Sequence, residues 1–321
     1  CATIGYGMWT WRMLTLTGDP EYADLFEQTL YNGILPAISL EGTHYFYVNA
    51  LRKLDEFEWP LRWSRTRTPN LKSSFCCPPN VLRTLAEVHN YVYSLSQDTL
   101  WVHLYANSTL ETSWENGDSI RLRQETHYPL QGAVKLLVEG APDHPISLKL
   151  RIPGWTEPGK TQVRINGEPI EEPVIPGTYL ELSRQWKQGD KILLDMDFEP
   201  VIWEANPLVE ETLNQVTVKY GPLVYCLESN DLPDSVDIMD VAISLEPGSL
   251  DFALSTEEIS GSQIQMLELP ALSLGKPAWK KDELYRPARL EKPERIKLRL
   301  IPYYAWGNRG DTEMTVWIPA R

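Results

Sequence analysis

Three things are scarce in this chain. The first is cysteine: there are four, Cys1, Cys76, Cys77 and Cys226, in 321 residues. Two are adjacent, and neighbouring cysteines rarely close a disulfide because the geometry is strained. A disulfide framework of the kind that staples small secreted folds is excluded. The second scarcity is long apolar runs. No stretch approaches the roughly 18–20 apolar residues of a bilayer-crossing helix, so no membrane span is expected. The third is positive charge. Lys and Arg number 30 against 44 Asp and Glu, a formal net charge of −14. Nucleic acid and anionic membrane surfaces are bound by clustered cations, so neither is an expected partner. A neutral oligosaccharide remains compatible. No signal peptide is visible. The chain opens Cys1-Ala2-Thr3-Ile4, without Met and inside a patterned segment. It is expected to be the remainder of a longer protein whose targeting segment lies elsewhere.

What is present is an ordinary folded composition, 42% hydrophobic and 23% charged. The length suggests two or three domains. Trp and Tyr, 12 and 15, outnumber the 6 Phe. Each pairs a flat apolar face with a polar tip, which suits sugar rings and also the cores of β-sandwiches.

Residues 1 to about 93 read as mostly helical. Met8 to Leu16 is rich in helix formers and stops at Thr17-Gly18. Asp19-Pro20 restarts a helix, with Asp as N-cap and Pro in the first turn. Tyr22, Leu25, Phe26, Leu30 and Ile34 then recur at helical spacing. Tyr45-Phe46-Tyr47-Val48 is β-like, and a further helix is expected after Pro78-Pro79. From about Tyr91 the pattern alternates. Strands are predicted over 99–105, 119–124, 147–152, 162–165, 191–198, 215–218, 221–226, 297–301 and 313–318. Asn166-Gly167 is a hairpin turn signal. An acidic stretch over 230–268 is expected to be less ordered. Helices followed by two sets of strands imply separate layers or domains, not a βαβ enzyme.

Chemistry has few candidates. Cys1, Cys76 and Cys77 all fall in the helical part. Thiolates are soft ligands that suit zinc, and three of them need a fourth donor for a tetrahedral site. A metal would also make a nucleophilic thiolate available at neutral pH. A purely structural zinc site, or buried thiols, fits the spacing equally. Glu27 lies on an otherwise apolar helix, where a salt-bridged face is the plain alternative to a site role. Tyr47 lies in an aromatic run, where core packing is the plain alternative. His44 and His103 could bond a sugar or a water, but a lone His beside a strand is more often core or surface. No Gly-rich phosphate loop, Gly-x-Ser-x-Gly elbow or His-Glu-x-x-His motif occurs, which disfavours phosphoryl transfer, serine hydrolysis and metalloprotease chemistry.

A family resemblance joins these residues. Cys1 to Gly5, Tyr22-Ala23-Asp24 through Glu27 to Leu30-Tyr31-Asn32, His44 to Asn49, Cys76-Cys77-Pro78-Pro79-Asn80 and Gly221 to Glu228 resemble, in order, glycoside hydrolase family 127. Its type activity is β-L-arabinofuranosidase. The resemblance implies an α+β multidomain fold. Residues 1–93 would be the last helices of an (α/α)6 barrel, with β-sandwich domains over 94–203 and 204–321. It also implies a retaining mechanism. Cys76 would be the nucleophile, Cys1, Cys76 and Cys77 would be Zn2+ ligands, and Glu27 and Tyr47 would contact the sugar or the nucleophile. The fourth ligand and the acid/base, both glutamates in the family, would lie upstream of Cys1. The chain alone is therefore expected to be inactive. L-Arabinofuranose or a related pectic sugar is the expected substrate, in the bacterial periplasm or cytoplasm. A carbohydrate-binding module with a structural zinc site is the alternative. A thiol redox role is weaker, since no Cys-x-x-Cys is present.

Overall fold

The computed structural model describes residues 1–55, 66–69, 76–275, 283–287 and 292–321. They form two compact units, each discontinuous in sequence: Cys1–Ile34 with Pro79–Glu199, and Leu35–Pro78 with Pro200–Arg321.

The first unit begins with helix α1, Ala2–Thr17. It ends as the sequence predicts. Gly18 takes the left-handed conformation (φ 68°) and its amide bonds back to Leu14 O at 2.8 Å. Helix α2, Pro20–Thr29, restarts at once, with the Asp19 carboxylate accepting from the Glu21 amide at 3.0 Å. It runs on into a π-turn over Leu30–Ile34. Helix α3, Cys77–Glu87, carries Pro78 and Pro79 in its first turn, where no amide partner is required of them. Phe26 and Leu30 pack with Val92 and Leu104, which anchors α2 on the strands that follow.

Those strands form two sheets. One runs Glu168–Pro169, Thr161–Ile165, Lys191–Met196, Ala133–Gly140, Ser119–Thr126, Ser108–Ser113, all antiparallel. The other runs Thr178–Arg184, Ile146–Ile152, Thr99–Val102, Tyr93–Ser96, with its central pair parallel. Alternate residues of both face one core that includes Leu100, Leu122, Leu136, Leu148 and Leu194, so the pair is a β-sandwich. Asn166 and Gly167 both have positive φ, 53° and 93°, and turn the expected hairpin.

The second unit is built on a ten-stranded sheet. Its main path is Pro200–Glu204, Gln215–Tyr220, Leu223–Glu228, Glu294–Pro302, Ser262–Ser273, Val241–Ala242. Early residues join it: Arg52–Lys53 pairs with Met314–Thr315. Phe46 stacks on Trp306 at 4.5 Å, and Arg67 lies over Phe46 while donating to Trp306 O and Pro36 O. Two expectations are corrected here. The β-like run at Tyr45 shrinks to His44–Tyr45, paired with Thr68–Pro69, and Tyr47 sits in the bend beyond it. The acidic stretch is partly strand: Ala253–Ile259 and Ser262–Ser273 form a hairpin. Glu268 alternates with buried Leu267 and Leu269, and the acids of the hairpin meet cations, Glu257 with Arg299 at 2.6 Å and Glu268 with Lys297. An ion-paired strand face looks like a polar loop in sequence.

Candidate functional site

Cys1 is the N-cap of α1, Cys77 opens α3, and Cys76 precedes it. The Asn80 side-chain amide, in the first turn of α3, donates to Cys1 Sγ at 3.3 Å and so ties the two helix starts together. The sulfurs of Cys76 and Cys77 are 3.6 Å apart, and those of Cys1, Cys76 and Cys77 all lie within 4.8 Å of one another. Cys1 and Cys76 are exposed. Sulfurs on the corners of a tetrahedral zinc site, each about 2.3 Å from the metal, would be about 3.8 Å apart. The three thiols therefore suit three corners of such a site. Cys226 is different. It is buried in the second unit with its Sγ near Ile301 O, and burial pushes its thiol well up. It is a core residue.

Glu27 is not among the groups that converge on the sulfurs. It is 1% exposed, on the face of α2 that turns toward the sandwich. Its Oε1 accepts from Arg151 and from the Tyr128 hydroxyl, both at 2.5 Å, and its Oε2 accepts from Trp155 Nε1 at 3.2 Å. Arg151 is fully buried. Its second arm pairs with Asp24, one helical turn before Glu27, and its Nε donates to His103 O at 2.6 Å. Asp24 also accepts from the Gly154 amide at 2.7 Å. Burial raises the Asp24 pKa and the Glu27 charge adds to this, against Arg151 and the Gly154 amide.

The remaining candidates are placed as follows. Tyr47 is half-buried in the second unit. His44 Nδ1 lies 2.9 Å from Thr43 Oγ1. His103 is buried between the Tyr179 hydroxyl and Ser94 Oγ, at 2.5 and 2.7 Å. Burial, and then Arg151, pushes its pKa down to about 3, so it is a neutral core histidine. Asp24, Tyr128, Arg151 and Trp155 were not singled out by sequence. Two signals were available: two acids three residues apart on an apolar helix face, and an arginine in a strand whose neighbours Leu148, Leu150 and Ile152 are core.

Known proteins give a consistent match. Residues 1–90 match the description "Beta-L-arabinofuranosidase, GH127 catalytic domain". Residues 99–198 match the GH127 middle domain, and residues 200–319 match the glycoside hydrolase family 127 C-terminal domain. A non-reducing end β-L-arabinofuranosidase of Bifidobacterium longum subsp. longum is 31% identical over 99% of this chain and 48% of that protein. A solved structure described as a glycoside hydrolase is 43% identical, with a TM-score of 0.93 over 100% of this chain and 52% of its own. The GH127 β-L-arabinofuranosidase Ara127N from Geobacillus stearothermophilus T6 is 35% identical, with a TM-score of 0.88 over 100% of this chain and 49% of its own. The chain thus spans about half the length of these relatives. Across that span, three successive parts match one family in order, and the chain belongs to glycoside hydrolase family 127.

Proposed function

We propose that the protein containing this chain is a retaining glycoside hydrolase that releases terminal L-arabinofuranose, or a related pectic sugar, from plant cell-wall glycans. The convergence of Cys1, Cys76 and Cys77 carries this reading. Its substrate class is taken from the relatives named above. Residues 1–93 are read as the end of an (α/α)6 barrel, with sandwich domains over 94–203 and 204–321.

Cys76, exposed beside Cys77, is the nucleophile. Its thiolate attacks the anomeric carbon and the bond from that carbon to the leaving oxygen breaks. The leaving oxygen takes a proton from a carboxylic acid that the family resemblance assigns upstream of Cys1. Water, giving its proton to the same carboxylate, then attacks that carbon, and the C–S bond breaks to return the Cys76 thiolate. Two inversions leave the configuration unchanged. Zinc, held by Cys1, Cys76 and Cys77 with a further donor, would keep these sulfurs ionised and make the Cys76 sulfur a better leaving group. Tyr47 would contact the sugar. Glu27, enclosed by Arg151, Tyr128 and Trp155, acts from behind the site by holding α2 in place.

The test uses the full-length protein with aryl β-L-arabinofuranosides and with arabinan and pectin oligosaccharides. Cys76→Ser should lose turnover by at least about a thousandfold while still binding sugar. The first-formed sugar should keep its anomeric configuration by NMR. Retained turnover in Cys76→Ser, with only loosened metal and fold, would favour a structural zinc site on a carbohydrate-binding protein. An inverted product would remove the nucleophile.

A further inference from the structure

Helix α2 is the fixed partner of α1. Its Asp24 and Glu27 carboxylates are both clamped by Arg151, and Gly154, Tyr128 and Trp155 complete the clamp. Breaking such a buried pair is costly, so α2 cannot drift to relieve strain elsewhere.

Beyond Thr29, α2 passes into the π-turn Leu30–Ile34. Such turns are rare and cluster at functional sites. This one brings Gly33 against the first turn of α1. A Cβ on Gly33 would stand 2.6 Å from Thr3 Cγ2, far inside van der Waals contact. One turn further along, a Cβ on Gly7 would meet Thr29 Cγ2 at 3.4 Å, an ordinary contact. The tighter of these two glycine contacts therefore falls on Thr3, two residues from Cys1. The Thr3 methyl is one bond from its Cβ, and a helical threonine has few rotamers to choose from. It cannot swing aside as a long side chain would. Cys1 follows its helix: its carbonyl accepts from the Gly5 amide at 2.9 Å.

We propose that Gly33 is a positioning residue for Cys1: its missing side chain lets the clamped α2 seat the first turn of α1 where the Cys1 sulfur meets those of Cys76 and Cys77. This rests on the reading that these thiols hold a metal. Gly33 touches neither metal nor sugar, and acts through Thr3 and the helix backbone.

The contact predicts its own suppressor. In the full-length protein, Gly33→Ala should weaken Zn2+ affinity, measured against a competing chelator, by at least about tenfold. It should also alter the cobalt(II)–thiolate absorption of the cobalt-substituted protein. Thr3→Ser removes the methyl that the new Cβ would strike. Alone it should leave Zn2+ affinity unchanged, and added to Gly33→Ala it should restore most of the loss. A residue important only for folding would lower the melting temperature without this metal-specific loss and rescue. Unchanged Zn2+ affinity in Gly33→Ala overturns the proposal, as does a loss that Thr3→Ser does not reduce. Cys1→Ser separates the two levels. If it leaves Zn2+ affinity intact, the metal reading fails and the proposal with it. If it weakens Zn2+ binding while Gly33→Ala does not, only the proposal fails. Should Gly33→Ala fold poorly, Gly33→Ser with Thr3→Ser poses the same question.

Discussion

Each compact unit holds an arginine between two carboxylates, and the two clusters are built differently. In the first, Arg151 is fully buried between Asp24 and Glu27, with no second cation in the group among the described residues. In the second, Arg309 is 14% exposed between Glu228 and Asp231, and Arg299 shares Glu257 with it. Both use a glycine amide as an extra donor: Gly154 to Asp24 in one, and Gly307 to Glu228 at 2.6 Å in the other. Burial opposes the charge of Arg309, but its bonds and charges from Asp231 and Glu228 win and its pKa rises. In the sealed cluster the shortage of cations shows on Asp24, whose pKa burial drives up. One guanidinium can organise two acids in a sealed site, but it leaves one of them short of compensation. A second cation and access to water relieve that shortage.

The largest expected effect breaks the comparison at its centre. Arg151→Met should destabilise the full-length protein by about 3–5 kcal/mol, because two acids lose their partner away from water. Arg309→Met should cost about half of that, since water and Arg299 remain. Urea unfolding of both variants checks this, and equal losses would remove the distinction drawn from burial.

The next effect is one of pH. His103, whose carbonyl accepts from Arg151, has a pKa pushed from its usual 6.5 down to about 3. Its folded-state value is depressed, so its contribution is complete above pH 6.5 and is lost as pH falls from there toward about 3. Asp24 works in the opposite direction, its contribution falling as pH climbs above the ordinary Asp value. Between pH 6.5 and 5, His103→Gln should lose about 2 kcal/mol less stability than the unaltered protein. Parallel slopes for His103→Gln and the unaltered protein would show that burial leaves the His103 pKa at its ordinary value.

The smallest effects sharpen the two glycines. Gly307 has φ 68°, and a Cβ there would lie 3.2 Å from the Phe46 ring, so Gly307→Ala should cost about 2 kcal/mol. Gly154 needs no left-handed backbone, but a Cβ would come 2.7 Å from Asp24 Oδ2. Gly154→Ala should cost about 1 kcal/mol through a weakened bond to Asp24. Thermal melts rank the two, and the reverse order would place the strain in the contact instead of the backbone.

Local punctuation was legible in the sequence. Thr17-Gly18, Asp19-Pro20 and Asn166-Gly167 each specify a backbone event within two or three residues, and each appears where expected. The hairpin over Ala253–Ser273 was not legible, because its acids Glu268 and Glu257 are balanced by Lys297 and Arg299 on a strand further along the chain. The Arg151 clamp was hidden for the same reason at longer range. Its acids lie 127 and 124 residues away, and nothing near Arg151 declares them. Cys1 and the Cys76–Cys77 pair were candidates by residue type, and family resemblance joined them before the sulfurs were seen together.

The pairing of Arg52–Lys53 with Met314–Thr315 has a practical consequence for cutting the molecule. The last stretch of chain looks excisable by its family match at residues 200–319, yet Phe46, Arg67 and that short strand come from much earlier. Released alone, it would expose the flat face of Trp306 and the open edge of Met314–Thr315, an invitation to self-association. Transplanting this part to another protein would have to carry the early segment too, as a second covalent piece or as a peptide supplied in trans.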